Sequence, residues 1–243
     1  MTETNNNTSP QHSLSRLPVL HVCNDFIIID KLPDLKINSD DSSDVTAATM
    51  LADMFPEKVD KALSYGFRFV HRLDYATSGC LCVALNKQAA MKASKSFQQR
   101  SVTKQYLALL RGHVTKPEIE IDIAIGEDST TANSNHKMCI STSPFCTNPK
   151  KAVTSLKLLE LGYYGKSEPI SKVLLTLRTG RRHQLRVHCQ SIGHSILGDF
   201  TYSDGTDTSP NRMMLHSYKL QIPNCSLDVC SSDPFILVDG WFF

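Results

Sequence analysis

No apolar run in the 243 residues is longer than a few positions, Phe26–Ile29 being typical, whereas a helix that crosses a bilayer needs about 20. A spanning helix is therefore excluded. The first fifteen residues are rich in Asn, Thr and Ser and hold neither an apolar segment nor an arginine, so no secretory or clear mitochondrial signal is read there. A cytoplasmic or nuclear location is the expectation. Cys-x-x-Cys is absent although there are eight cysteines, and in a chain of this size and compartment reduced thiols are expected. Neither a Gly-x-Gly-x-x-Gly nor a P-loop pattern occurs, which removes the usual signs of a nucleotide cofactor. With 41% hydrophobic and 21% charged residues, and Gly and Pro at 11 each, disordered, collagenous and coiled-coil classes also fall away.

Net charge is only +2, but acids are missing where bases are not. Tyr75–Pro117 contains no Asp or Glu and carries Lys87, Lys92, Lys95, Arg100, Lys104, Arg111 and Lys116. Pro169–Gly198 is likewise acid-free, with Lys172, Arg178, Arg181, Arg182 and Arg186. If the two stretches meet in space they form a positive surface suited to a phosphate backbone; otherwise they are solvated faces that lack acids.

Length and composition suggest one large domain, read as residues 17–243 behind a disordered lead over 1–16. Strands are expected at Val19–Cys23 and Phe26–Asp30 around an Asn24-Asp25 turn, then at Cys80–Leu85, Val102–Arg111, Val153–Leu161 and Lys172–Leu177, with extended segments at Arg212–Ile222 and Phe235–Val238. Helices are expected from an Asp44 cap to about Met54, from an Asn86 cap over Lys87–Gln98, and over Arg181–Ser191. Glu127–Pro149, rich in Ser, Thr and Asn, reads as an exposed loop. Strands outnumber helices without alternating with them. The expected fold is thus of α+β type, a mixed, largely antiparallel central sheet flanked by helices.

Two segments carry the candidate chemistry. In His71-Arg72-Leu73-Asp74 followed by Thr77-Ser78-Gly79, a carboxylate sits beside a cation at the edge of an acid-free stretch, where it stays ionised. The plainer alternative is a turn held by local side-chain bonds. In Thr179-Gly-Arg-Arg-His-Gln-Leu-Arg-Val-His188, a helix places Arg182 and Arg186 on one face, and two like charges there call for partners: phosphates, or a carboxylate such as Asp74. A metal site on His183, His188, Cys189 and His194 competes, but the spacing fits no zinc pattern and the neighbouring charges are positive. No metal is expected.

Taken together, His71-Arg-Leu-Asp74 with Thr77-Ser-Gly79, Lys104-x-Tyr106, the Thr179–His188 block, Gly193–Asp199 and Met214-Leu-His216 resemble the RluA family of RNA pseudouridine synthases, over roughly Leu17 to Asp239. That resemblance implies a catalytic cleft across the sheet and a cofactor-free isomerase that converts uridine to pseudouridine within tRNA, rRNA or mRNA, acting as a monomer. It also implies roles: Asp74 as nucleophile, Tyr106 stacked on the uracil, Arg186 paired with Asp74, and Arg72 filling the space left by the flipped base. Arg181, Arg182, Lys92, Lys95 and Lys104 are the expected RNA contacts. The chain departs from the family at Ser195, often Pro, and at Asp34, often Gly. Other classes to be weighed are a catalytically silent RNA-binding protein on the same scaffold, and a two-carboxylate hydrolase in which Asp199 would partner Asp74.

Overall fold

A computed structural model describes residues 16–131 and 137–242; the expected disordered lead lies outside them except for Arg16. In chain order the strands are β1 (Val19–Val22), β2 (Phe26–Lys31), β3 (Arg68–Phe69), β4 (Ser78–Ala84), β5 (Thr103–Arg111), β6 (Glu118–Asp122), β7 (Ile125–Asp128), β8 (Met138–Ile140), β9 (Cys146–Lys150), β10 (Val153–Tyr164), β11 (Glu168–Leu177), β12 (Leu215–Ile222), β13 (Leu227–Cys230), β14 (Leu237–Val238) and β15 (Trp241–Phe242). The helices are α1 (Ala47–Met54), α2 (Lys87–Gln98) and α3 (Gln184–Ser191). The main sheet runs β1-β2-β4-β12-β5-β11-β10-β15-β14. Its pairs are antiparallel apart from β4–β12 and β10–β15, as the mixed, largely antiparallel expectation required.

Period-two alternation along β4 explains the layering. Leu81 and Val83 point to one face, where they pack with Ile27, Ile29 and Leu51 of α1. Cys80, Cys82 and Ala84 point to the other, against Ala89 and Ala93 of α2. Leu185 and Cys189 seat α3 on the α1 side. The two acid-free stretches do meet, because β5 and β11 pair from Ile170↔Arg111 to Thr176↔Gln105.

Four local expectations are corrected. The cap of α1 is Thr46, in a reciprocal box with Thr49 (Thr49 N–H to Thr46 Oγ1 3.1 Å, Thr46 N–H to Thr49 Oγ1 2.9 Å), because the Asp44 carboxylate is taken by Lys36 Nζ at 2.5 Å and by the Ser39 hydroxyl. Within 127–149, the described residues form a small sheet in the order β8-β7-β9. Polar, half-exposed strands of three to five residues have too little apolar alternation to register in sequence. The β10–β11 hairpin is longer than expected, with a register shift between Leu158 and Glu160. Finally, α3 starts at Gln184, since His183 takes a left-handed φ of 53° at its N-cap; Arg182 and Arg186 therefore do not share a helical face.

Gly79, with φ +108°, lies where a Cβ would stand 2.3 Å from the Ser217 carbonyl oxygen of β12. Only glycine lets these parallel strands approach so closely. Gly79→Ala is expected to lower stability by at least ~2 kcal/mol, visible as a lowered urea midpoint; an unchanged midpoint would mean that the strands have room to separate.

At Asp34 the backbone has φ 52°, a left-handed conformation that favours glycine. Asp is among the residues that tolerate it.

Candidate active site

Asp74 sits in the connection between β3 and β4, and the loop is pinned on both sides of it. Thr77 N–H donates to the Asp74 carbonyl at 3.1 Å. Lys31, fully buried, donates from Nζ to the carbonyls of Leu32 (2.8 Å), Leu35 (2.9 Å) and Tyr75 (2.9 Å). Burial pushes its ammonium down to about 8, against the pull of Asp34. Upstream, His71 stacks on Phe97 at 5.0 Å and accepts the Cys82 N–H on Nε2 at 2.9 Å.

Burial holds the His71 imidazole down to about 3, with the Lys104 charge assisting. Because the folded value lies below the free imidazole's ~6.5, His71 contributes stability that is complete above that pH and is lost as pH falls toward the folded value. Urea midpoints should therefore decline across this window. They should decline less steeply in His71→Gln, whose amide oxygen accepts the Cys82 N–H without titrating; an identical slope would show that His71 is not the titrating group.

The pinned loop delivers the Asp74 carboxylate, 26% exposed, to a cleft of about 350 Å³ that is also walled by Arg72, Lys104, Tyr106, His183 and Arg186. Register brings these distant segments together: Ser217 of β12 pairs with Gly79 on one side and Tyr106 on the other. Tyr106 is 7% exposed and belongs to the core as well as to the cleft. Burial pushes its phenol up, the Ser217 hydroxyl opposing and the Asp74 charge adding.

Arg186 has two carboxylate partners where the sequence reading gave it one. Its Nε and Nη2 donate to Asp199 Oδ2 and Oδ1 at 2.8 and 2.7 Å. Nη1 reaches to 3.7 Å from Asp74 Oδ2, and the guanidinium lies 4.9 Å above the Tyr202 ring. Asp199, 1% exposed, aligns the fork, so that the remaining edge of the guanidinium is presented to Asp74. With both Asp199 oxygens occupied, that residue is not free to serve as the second carboxyl of a hydrolase.

Arg182 and Arg72 are exposed at the cleft, and Arg181 lies beside it with Nε on the Lys151 carbonyl at 3.0 Å. Lys104 Nζ sits 6.0 Å from the Phe97 ring centroid, its pKa lowered by burial and by Arg100. Lys92 and Lys95 stand exposed on α2 and are not among the cleft-lining residues. Instead, Arg100 and Arg178 join Lys104 and Arg181 in a side groove of about 300 Å³ that shares Lys104, Gly180 and Arg181 with the cleft wall. The residues weighed for a metal are otherwise employed: His188 binds the Thr154 hydroxyl and the Ile123 carbonyl, each at 2.9 Å, and His194 binds the Arg111 carbonyl at 2.9 Å. Among the described residues no group of three or more His, Cys, Asp or Glu side chains is placed to hold an ion.

The sequence and the fold that carry this site are matched by known proteins. A family model described as RNA pseudouridylate synthase covers residues 25–191, and the chain belongs to that family of isomerases. It is 47% identical over 229 residues to mouse RNA pseudouridylate synthase domain-containing protein 1, across 92% of this chain and 74% of that one. With the dual-specificity RNA pseudouridine synthase RluA of Escherichia coli it shares 36% identity over 154 residues, 63% of this chain and 65% of that one. The solved structure of human RNA pseudouridylate synthase domain containing 1 superposes with a TM-score of 0.80 at 45% identity, covering 90% of this chain and 84% of that one.

Proposed function

We propose that the protein isomerises uridine to pseudouridine within RNA, with Asp74 as the nucleophile. The observation that carries this reading is the Asp74 carboxylate held 3.7 Å from the Arg186 guanidinium at the wall of a basic cleft. In the proposed reaction a carboxylate oxygen bonds to C1′ as the N1–C1′ bond breaks, the uracil turns in the cleft, C5 bonds to C1′ and displaces the carboxylate, and the C5 proton leaves as N1 takes one up. Extruding the base costs a few kcal/mol, offset by an aromatic face and an inserted cation. Tyr106 supplies the face and Arg72 the cation. As a proton acceptor for C5, Tyr106 would have to ionise where burial opposes it, so the ring is its better supported contribution.

RNA labelled with tritium at uridine C5 tests the proposal directly. Isomerisation releases tritium, a hydrolase would release free uracil, and a silent binder would release neither. Strand contacts are assigned to Arg72, Lys104, Arg181 and Arg182, joined by Arg100 and Arg178 of the side groove. Replacing Arg100, Arg178 and Arg182 by Glu should weaken all RNAs similarly and flatten the salt dependence by ~0.7 per lost phosphate contact on single strands. Glu at Lys92 and Lys95 should do less. Equal effects from the two sets would move the RNA track onto α2.

A further inference from the structure

The sequence pattern offers His183 only as a metal ligand, yet its hydrogen bonds give it a different assignment. It occupies a left-handed backbone conformation, φ 53°, uncommon for a residue with a side chain and frequent at functional positions. The imidazole walls the cleft together with Asp74. Nδ1 lies 2.9 Å from the Tyr202 hydroxyl, with the two rings edge to face at 5.7 Å. The Tyr202 oxygen also accepts the Met138 N–H at 2.9 Å. Nε2 has no partner among the described residues and is not a buried orphan, a condition that falls on His216 Nε2 alone among them; it keeps solvent contact in a residue that walls the cleft.

Proton direction follows from this chain. Tyr202 is 5% exposed and has one proton to give, and His183 Nδ1 is its acceptor among the described residues. If Nδ1 carried the hydrogen, the buried phenol proton would be left unpaired, at a cost of about 1–3 kcal/mol. Burial pushes the imidazole down to about 4, against the pull of Asp74, so the ring is neutral at pH 7 and holds one hydrogen, on Nε2. The open nitrogen is thus a fixed donor. An untethered imidazole presents either an N–H or a lone pair and pairs with a carbonyl or an amino group alike. A tethered one pairs only with an acceptor, and at C4 of a pyrimidine this separates uracil, which has a carbonyl, from cytosine, which has an amino group.

Resting on the activity proposed above, we infer that His183 is a specificity-determining residue whose Nε2–H donates to the C4 carbonyl of the target uracil, and that Tyr202 is the positioning residue that fixes the tautomer.

Two measurements test it. Long-range proton–nitrogen correlation spectra at pH 7, with His183 assigned through His183→Gln, should show the Nε2–H tautomer in the wild type and a tautomer mixture in Tyr202→Phe. An Nδ1–H or imidazolium signature in the wild type overturns the assignment. Second, single-stranded decamers of uridine and of cytidine are bound to the full chain carrying Asp74→Asn, so that RNA is not altered. A site that bonds a polar group rejects the analogue lacking it, and a roughly tenfold preference for the uridine decamer is expected from one such bond. The preference should fall to near unity in His183→Ala, return in part in His183→Gln, whose amide also donates, and weaken in Tyr202→Phe. A wild type without preference, or one undiminished in His183→Ala, overturns the inference. Tritium release without such a preference would leave the activity standing and remove His183 as its reader, whereas a preference without tritium release would do the reverse.

Discussion

Asp74→Asn should abolish tritium release from C5-labelled RNA, lowering turnover by at least about a thousandfold, the scale on which removal of a covalent nucleophile acts. The substitution keeps the shape of the side chain and the loop bonds from Lys31 and Thr77, which involve the carbonyls of Tyr75 and Asp74 and not the carboxylate. Stability should therefore change little. RNA affinity should hold or rise, because one negative charge leaves a wall otherwise lined by Arg72, Lys104, Arg182 and Arg186. Single-turnover assays with filter binding on the same RNA check both halves. Turnover above a few percent of wild type would show that the carboxylate is not the nucleophile.

Arg186→Met should be nearly as severe, and for two separable reasons. Loss of the cation strands the Asp199 carboxylate at 1% exposure, and breaking a buried pair from one side costs about 3–5 kcal/mol. At ~2–4 °C per kcal/mol for a chain of this size, the melting temperature should drop by roughly 6–20 °C. Turnover should also fall steeply, because Asp74 loses the cation that orients it. The double variant Arg186→Met/Asp199→Leu distinguishes the two effects. Replacing both partners with apolar groups is often neutral, so thermal stability should recover largely while turnover stays low. Recovery of turnover along with stability would reduce Arg186 to a packing element.

The parts of this molecule legible in its sequence are those that obey local rules. Asn86 caps α2 through Ala89 N–H at 2.8 Å, and the alternation in β4 sorts its side chains between two cores. Asp74, Tyr106 and Arg186 were singled out through a motif resemblance, and the structure brings all three to one cleft. What sequence did not show depends on partners far apart in the chain or on backbone geometry without a residue signature. Asp199 is thirteen positions from Arg186, outside any helical or strand period. The left-handed turn at His183 shortens α3 and leaves the residue on the cleft wall, and nothing in the residue type demands it. Lys31 directly follows the expected strand Phe26–Asp30 and nothing in its neighbours marks it for burial, yet carbonyls from two separate segments, Leu32 and Leu35 on one and Tyr75 on the other, converge on it.

The placement of β12 has a consequence for biosynthesis. This strand, Leu215–Ile222, separates β4 from β5, so the peptide segments that bear Asp74 and Tyr106 are neighbours only by way of a strand made more than a hundred residues after both. Contacts of such large sequence separation form late and slowly. On a translating ribosome, which adds ~5–20 residues per second, both signature segments emerge several seconds before the strand that closes the gap between them. Through that interval β4 and β5 each present an unpaired apolar edge, a hazard for misassembly. A nascent chain arrested before residue 215 should therefore be protease-sensitive across residues 78–111, and one arrested after β12 has cleared the exit tunnel should be resistant there.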